Sequence, residues 1–236
     1  MKFDKKHRPK SLNEVIFAST EVKKVIEDYG NNLRDKHILL HGPKGTGKSV
    51  SAQLVLKQRM GVIWQAGLGD PWNAKAYQAE HDTFSPVLNQ WNMQLSMGAR
   101  TGVSVFDEID QFSLPMQQKL RAFIEQYEIG MVIATTNNLH LLDGPLKDRF
   151  RPLLVEYPSV AQWVPRFVKV MADEGIPITP AQATELLKGF VGSGRKLDDW
   201  MEDYVFRLQP VMTQVTTPPP APTQAYGQTV NGAGGK

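Results

Sequence analysis

The chain has 236 residues, 41% of them hydrophobic, and a formal net charge of +3, which gives enough apolar material for one large domain or two small ones. No run approaches the length of a membrane span, the charged opening "MKFDKKHRPKSLNEV" has no apolar segment behind it, and the absence of cysteine excludes disulfides and thiolate metal sites. A cytoplasmic setting is the expectation, the scattered histidines offer no zinc pattern, and the small positive charge does not by itself argue for nucleic acid.

In chain order, "HILLH" (37–41), "GVIWQ" (61–65), "GVSVF" (102–106), "GMVIATT" (130–136) and "RPLLVEY" (151–157) are apolar runs that predict strands. Helical patterns separate them, so the expected fold is α/β, with a parallel sheet flanked by helices. One of these patterns, "LPMQQKLRAFIEQY", is amphipathic, and Leu114, Leu120, Phe123, Ile124 and Tyr127 form its predicted core face. From Ser159 the strand signals stop. Helical patterns over 159–174, 179–190 and 194–207, broken at "EGIPITP" and "VGSG", predict a small all-helical domain (159–208) after an α/β domain (1–158). Residues 209–236 are rich in Pro, Thr, Gln and Gly, with Lys236 as the only charge, and predict a disordered tail.

The chemistry is concentrated at the ends of the predicted strands. "GPKGTGKS", comprising Gly42, Pro43, Lys44, Gly45, Thr46, Gly47, Lys48 and Ser49, fits G-x-x-x-x-G-K-[ST] in full, between a strand-like run and an amphipathic helix. In that pattern backbone amides and Lys48 attract the phosphates of a nucleoside triphosphate, and Ser49 offers its hydroxyl to Mg2+. "GVSVFDEID" ends a strand in adjacent carboxylates: Asp107 suits the magnesium shell, and Glu108 suits the water that attacks the terminal phosphate. Read alone, Asp107 or Asp110 would serve as a helix cap. Asn137 ends the next strand and would orient that water or contact the terminal phosphate, while Asn138 is a candidate for an Asx turn.

Taken together, these stretches make the chain resemble the AAA+ ATPases, and among them the ATPase subunits of sliding-clamp loaders. "KKHRPKSLNEVIF" is similar to the K-Y-R-P-x-[ST]-[LI]-x-[DE] opening of replication factor C and phage clamp-loader subunits, with His7 in the usual place of tyrosine. "VFDEIDQF" followed by "QQKLRAFIEQY" resembles the D-E-x-D stretch and following helix of that family, above all in the large subunit of T-even-type phages. The resemblance spans about residues 3–207.

The resemblance implies an ATP- and Mg2+-dependent ATPase that assembles in a ring or arc and loads a sliding clamp onto primer-template DNA. It assigns Arg149 in "LKDRFRPLLVEY" as an arginine finger entering a neighbour's site, with Arg151 as a nearby competitor, and Arg195 in "GSGRKLDDW" as a second sensor arginine on a helical lid. Arg8, Pro9, Val15 and Ile16 match the strip that borders the adenine ring. Family members of this type carry a helical collar domain after the lid, a pattern not seen after Leu208 here. Other AAA+ motors on nucleic acid, such as a helicase loader or a branch-migration ATPase, share the nucleotide motifs, and a non-hydrolysing assembly module is the alternative from another class.

Overall fold

The computed structural model describes residues 2–215, with side chains up to Leu208. Its elements in chain order are α1 (Phe3–Lys6), a 3-10 turn at Leu12–Glu14, α2 (Thr20–Gly30), β1 (Ile38–His41), α3 (Lys48–Met60), α4 (Val62–Gln65), β2 (Trp72–Asn73), α5 (Ala74–Glu80) and α6 (Ser85–Ser96). Next come β3 (Gly102–Asp107), α7 (Leu114–Gln126), β4 (Gly130–Thr136), α8 (Gly144–Lys147), β5 (Arg151–Leu154), α9 (Val160–Asp173), α10 (Pro180–Leu186) and α11 (Gly194–Val215). Short 3-10 turns at Ile109–Gln111 and Leu139–Leu141 come after β3 and β4.

The strands pair in the order β2-β3-β4-β1-β5, and every pairing is parallel. A parallel sheet covered on both faces needs strands that are apolar on both sides, and β3 and β4 are buried along their whole length except at Asp107. Their two-residue period sorts the side chains: Ile38, Leu40, Val103, Val105, Met131 and Ile133 join a core with α2 and α3. The alternate positions Leu39, Phe106, Val132 and Ala134 join a second core under α5, α6 and α7. Trp91 of α6 lies flat against Gly102 and Gly130, where no side chain fits, and its indole N–H donates to Ser104 Oγ at 3.0 Å. Pro152, which has no N–H for a ladder, sits on the edge strand β5.

A third apolar cluster, centred on Trp163, Phe167, Met171, Leu187, Leu197 and Met201, is built from α9, α10 and α11. Both α9 and α10 begin in a capping box, Ser159 with Gln162 and Thr179 with Gln182. Phe3 and Ile16 from the N-terminal arm pack on this cluster too. Further bonds fasten the arm: Arg166 donates to the His7 carbonyl at 3.1 Å, Lys6 to Glu174 at 2.8 Å, and Gln162 to the carbonyls of Phe17 and Ala18.

Three expectations are corrected. "GVIWQ" is not a strand: α3 ends at Gly61, whose φ of +49° turns the chain, and Val62–Gln65 restarts as a helical turn that buries Ile63. Its expected place in the sheet is taken by the two residues of β2. Leu114 is 56% exposed because it opens α7 before the helix reaches the core, whereas Leu120, Phe123 and Ile124 are buried as expected and Tyr127 is half-buried beside Phe123. The final helix continues to Val215 instead of ending near Leu208. The remainder of the predicted tail, 216–236, lies outside the described residues.

Candidate functional site

Because the sheet is parallel, the loops after β1, β3 and β4 leave it from the same edge, and the predicted chemistry is collected there. The loop after β1 turns through Gly42, Gly45 and Gly47, all at positive φ (134°, 85° and 92°), which a side chain rarely tolerates. At Gly42 a Cβ would also stand 2.4 Å from the carbonyl oxygen of Val155. Gly47 then caps α3, so Lys48 and Ser49 fall in its first turn, where free amides and the helix dipole favour an anion.

Lys48 is 5% exposed, and its ammonium donates to the carbonyls of Gly42 (2.8 Å) and Pro43 (2.7 Å). Burial lowers its pKa, opposed by the nearby carboxylates Asp107, Asp110 and Glu108. A buried cation of this kind is stabilised further by an added anion such as phosphate. Ser49 Oγ donates to Asp107 Oδ1 at 2.6 Å, joining the two oxygens that the sequence assigns to Mg2+. Hydroxyl and carboxylate oxygens are the donor set that a hard divalent cation takes, and these residues fit it.

Thr135, not singled out from the sequence, links the Asp107 carboxylate to the backbone of Glu108. Its hydroxyl donates to Asp107 Oδ1 at 2.5 Å and accepts the amide N–H of Glu108 at 3.0 Å. The signal was the pair of threonines that ends an otherwise apolar strand, "GMVIATT". Glu108 adopts φ 58° and ψ 52°, a left-handed conformation uncommon outside glycine. Its Oε2 accepts from Gln111 at 2.5 Å, and the Asn137 side-chain amide stands 3.4 Å from Oε1. Neither Asp107 nor Asp110 caps a helix, since α7 is preceded by Ser113.

These groups open into one cleft of about 850 Å³, which also receives Arg8, Pro9, Val15, Ile16 and Arg195. The structure therefore brings the expected nucleotide-binding residues to one place. Arg8 is fixed to α3 by a 2.7 Å bond to Gln53 Oε1, and Val15 is buried. Trp163, which sequence reasoning missed, lines the cleft from α9 and touches Gly194. The phosphate loop is also tied to the chain beyond the sheet: the Gly194 N–H donates to the Gly45 carbonyl at 3.1 Å, and the Tyr157 hydroxyl to the Lys44 carbonyl at 2.8 Å.

Arg149 is not in this cleft. It lies between α8 and β5, next to the opposite edge of the sheet, where the Arg151 N–H donates to the His37 carbonyl just ahead of β1. Its guanidinium is half exposed and donates to Glu125 Oε1 at 2.7 Å. Arg151 lines the same surface hollow.

Comparison with known proteins agrees with this geometry. Residues 38–155, half of the chain, match the family described as "ATPase family associated with various cellular activities (AAA)". The chain is 25% identical over 202 residues to a replication factor C small subunit 2 of Pyrobaculum islandicum, covering 81% of this chain and 59% of that protein. It is 25% identical over 197 residues to a replication factor C large subunit of Pyrococcus horikoshii, covering 80% and 40%. It thus spans less than two thirds of the length of these curated relatives. In fold it is similar to the Thermotoga maritima RuvB Holliday junction branch migration motor, with a TM-score of 0.61 at 23% identity over 91% of this chain and 68% of that one. A family match over half of its length, on a sheet whose strand ends carry the expected residues, shows that this chain belongs to the AAA family of ATPases.

Proposed function

We propose that the chain is an ATP-hydrolysing, clamp-loader-like subunit that works side by side with copies of itself or related subunits to load a sliding clamp onto primer-template DNA. The observation that carries the site is the meeting of Ser49, Asp107, Thr135, Glu108 and Asn137 at one sheet edge, next to a buried Lys48. In this reading the loop amides and Lys48 hold the phosphates, and Ser49 and Asp107 hold Mg2+. Magnesium would neutralise charge on the phosphate oxygens when bound with the triphosphate. Glu108 accepts the proton of the attacking water, which Asn137 orients. Arg195 reaches the phosphates from the lid formed by residues 159–208, and Arg8, Pro9, Val15 and Ile16 border the base.

Arg149 completes the site of a neighbouring copy. Its position near the far edge of the sheet supports a role in trans, because no single chain brings it to its own Lys48. The clamp-loader assignment draws on the replication factor C relatives and on the N-terminal arm, which matches that family. The likeness to the branch-migration motor is one of fold and lends no weight to that activity.

The test is steady-state ATP hydrolysis across a protein concentration series, with primer-template DNA, junction DNA or no DNA, beside Lys48→Ala and Arg149→Ala. The specific rate is expected to rise with concentration, to respond to primed DNA, and to vanish in both variants. A rate indifferent to concentration and to Arg149→Ala would sink the shared site. Stimulation by junction DNA instead of primed DNA would sink the clamp-loader reading alone.

A further inference from the structure

Asp110 does not act as a helix cap, yet both of its carboxylate oxygens are used. Thr136 Oγ1 donates to Oδ1 at 2.8 Å, and Asn138 Nδ2 donates to Oδ2 at 2.9 Å. The Asn138 amide N–H in turn donates to Thr136 Oγ1 at 3.0 Å. The residues on either side of Asn137 are thus tied to one carboxylate and to each other. This matters because Asn137 lies beyond the last pair of the β1–β4 ladder, His41 with Thr136, so no sheet bond fixes it. Its amide stands 3.4 Å from Glu108 Oε1, and the bonds of Thr136 and Asn138 form a bracket that restrains the backbone on either side of it.

We infer that Asp110 is a positioning residue for hydrolysis: its carboxylate grips Thr136 and Asn138 and thereby holds the Asn137 amide over Glu108. The inference rests on the roles of Asn137 and Glu108 proposed above. An ionised carboxylate suits the task because it only accepts, and two oxygens on one planar group set the spacing of two donors. Asp110 itself touches neither Asn137 nor Glu108 by any hydrogen bond among the described residues.

The experiment measures kcat and KM for ATP, together with affinity for a fluorescent ATP analogue, at the protein concentration where the wild type turns over fastest. The variants are Asp110→Ala, Asp110→Asn, Asn138→Ala, Asn137→Ala and the Asp110→Ala/Asn137→Ala double. Asp110→Ala is expected to lower kcat by about ten- to hundredfold, the size of effect that a displaced orienting group produces, with KM and analogue affinity little changed. Asp110→Asn restores most of the rate, since its amide still accepts from Asn138 and can donate to the Thr136 hydroxyl. Asn138→Ala, an exposed position that tests the bracket even if Asp110→Ala does not fold, loses one arm and falls between. The double variant is no slower than Asn137→Ala, because both changes act through one group.

Three results would overturn the bracket while leaving the site intact: a slow Asn137→Ala beside a wild-type Asp110→Ala, an Asp110→Asn as slow as Asp110→Ala, or a double variant slowed by the product of the single effects. Asn137→Ala at the wild-type rate would instead overturn the role of Asn137 and, with it, this inference.

Discussion

At Glu108 the backbone holds a conformation that disfavours a side chain by about 1 kcal/mol or more, and it does so where the residue lines the cleft. Glu108→Gln keeps the shape, the left-handed turn and the bond to Gln111, so nucleotide binding is expected to persist. Hydrolysis should fall about a hundredfold or more, as for loss of a general base, and equilibrium binding measured beside single-turnover hydrolysis checks this split. The motif residues were legible because G-x-x-x-x-G-K-[ST] and the adjacent carboxylates carry their own context. Thr135 was not, since a threonine at the end of an apolar strand looks like any other until its partners across the sheet are known. His37 was also silent in the sequence. Burial pushes its imidazole down to about 4, and its neutral Nδ1 accepts the Val132 N–H at 3.0 Å. Because the folded value lies below the ordinary one of 6.5, the stabilisation is complete above pH 6.5 and is lost as pH falls toward 4. The full effect is about 3 kcal/mol, and urea midpoints of His37→Gln should fall less over this range than those of the wild type.

For the elements, what the sequence shows depends on length. β3 and β4 are runs buried throughout except at Asp107, bounded by glycine and polar residues, and their pattern admits no other reading once helices flank them. β2 has two residues on an edge, too few to show a period, and its neighbour "GVIWQ" has the composition of a strand but the backbone of a turn and a helix. A five-residue apolar run does not decide between the two. The helical patterns read from residues 159 and 179 begin within a residue of α9 at Val160 and α10 at Pro180. The packing of α6 on the sheet gives a sharp test. A Cβ at Gly130 would lie within 2.3–2.5 Å of three Trp91 ring atoms, so Gly130→Ala must displace the whole indole or the strand. A loss of about 3 kcal/mol is expected from such overpacking, read from chemical denaturation, and pairing it with Trp91→Leu should recover part of it.

Over the whole molecule, the polarity of the sheet separates the cleft residues from Arg149. The cleft lies at the strand ends, and Arg149 lies near the strand beginnings, so one chain presents the cleft on one side and a guanidinium on another. Mixing tests this arrangement: Lys48→Ala and Arg149→Ala, each inactive alone, should regain hydrolysis when combined, because the cleft of one then meets the arginine of the other. Mixtures that stay inactive would count against a shared site. The helical character of residues 159–207 was legible from periodicity. The fastening of the N-terminal arm to that region was not, because it depends on long-range bonds such as Arg166 to His7. The bond from the Gly194 N–H to the Gly45 carbonyl has a thermodynamic corollary. Two segments 149 residues apart share one hydrogen bond, so their conformational equilibria are linked, and linkage works equally in both directions. By whatever factor the docking of these helices alters the loop's affinity for an anion, a bound anion would alter their docking by that same factor.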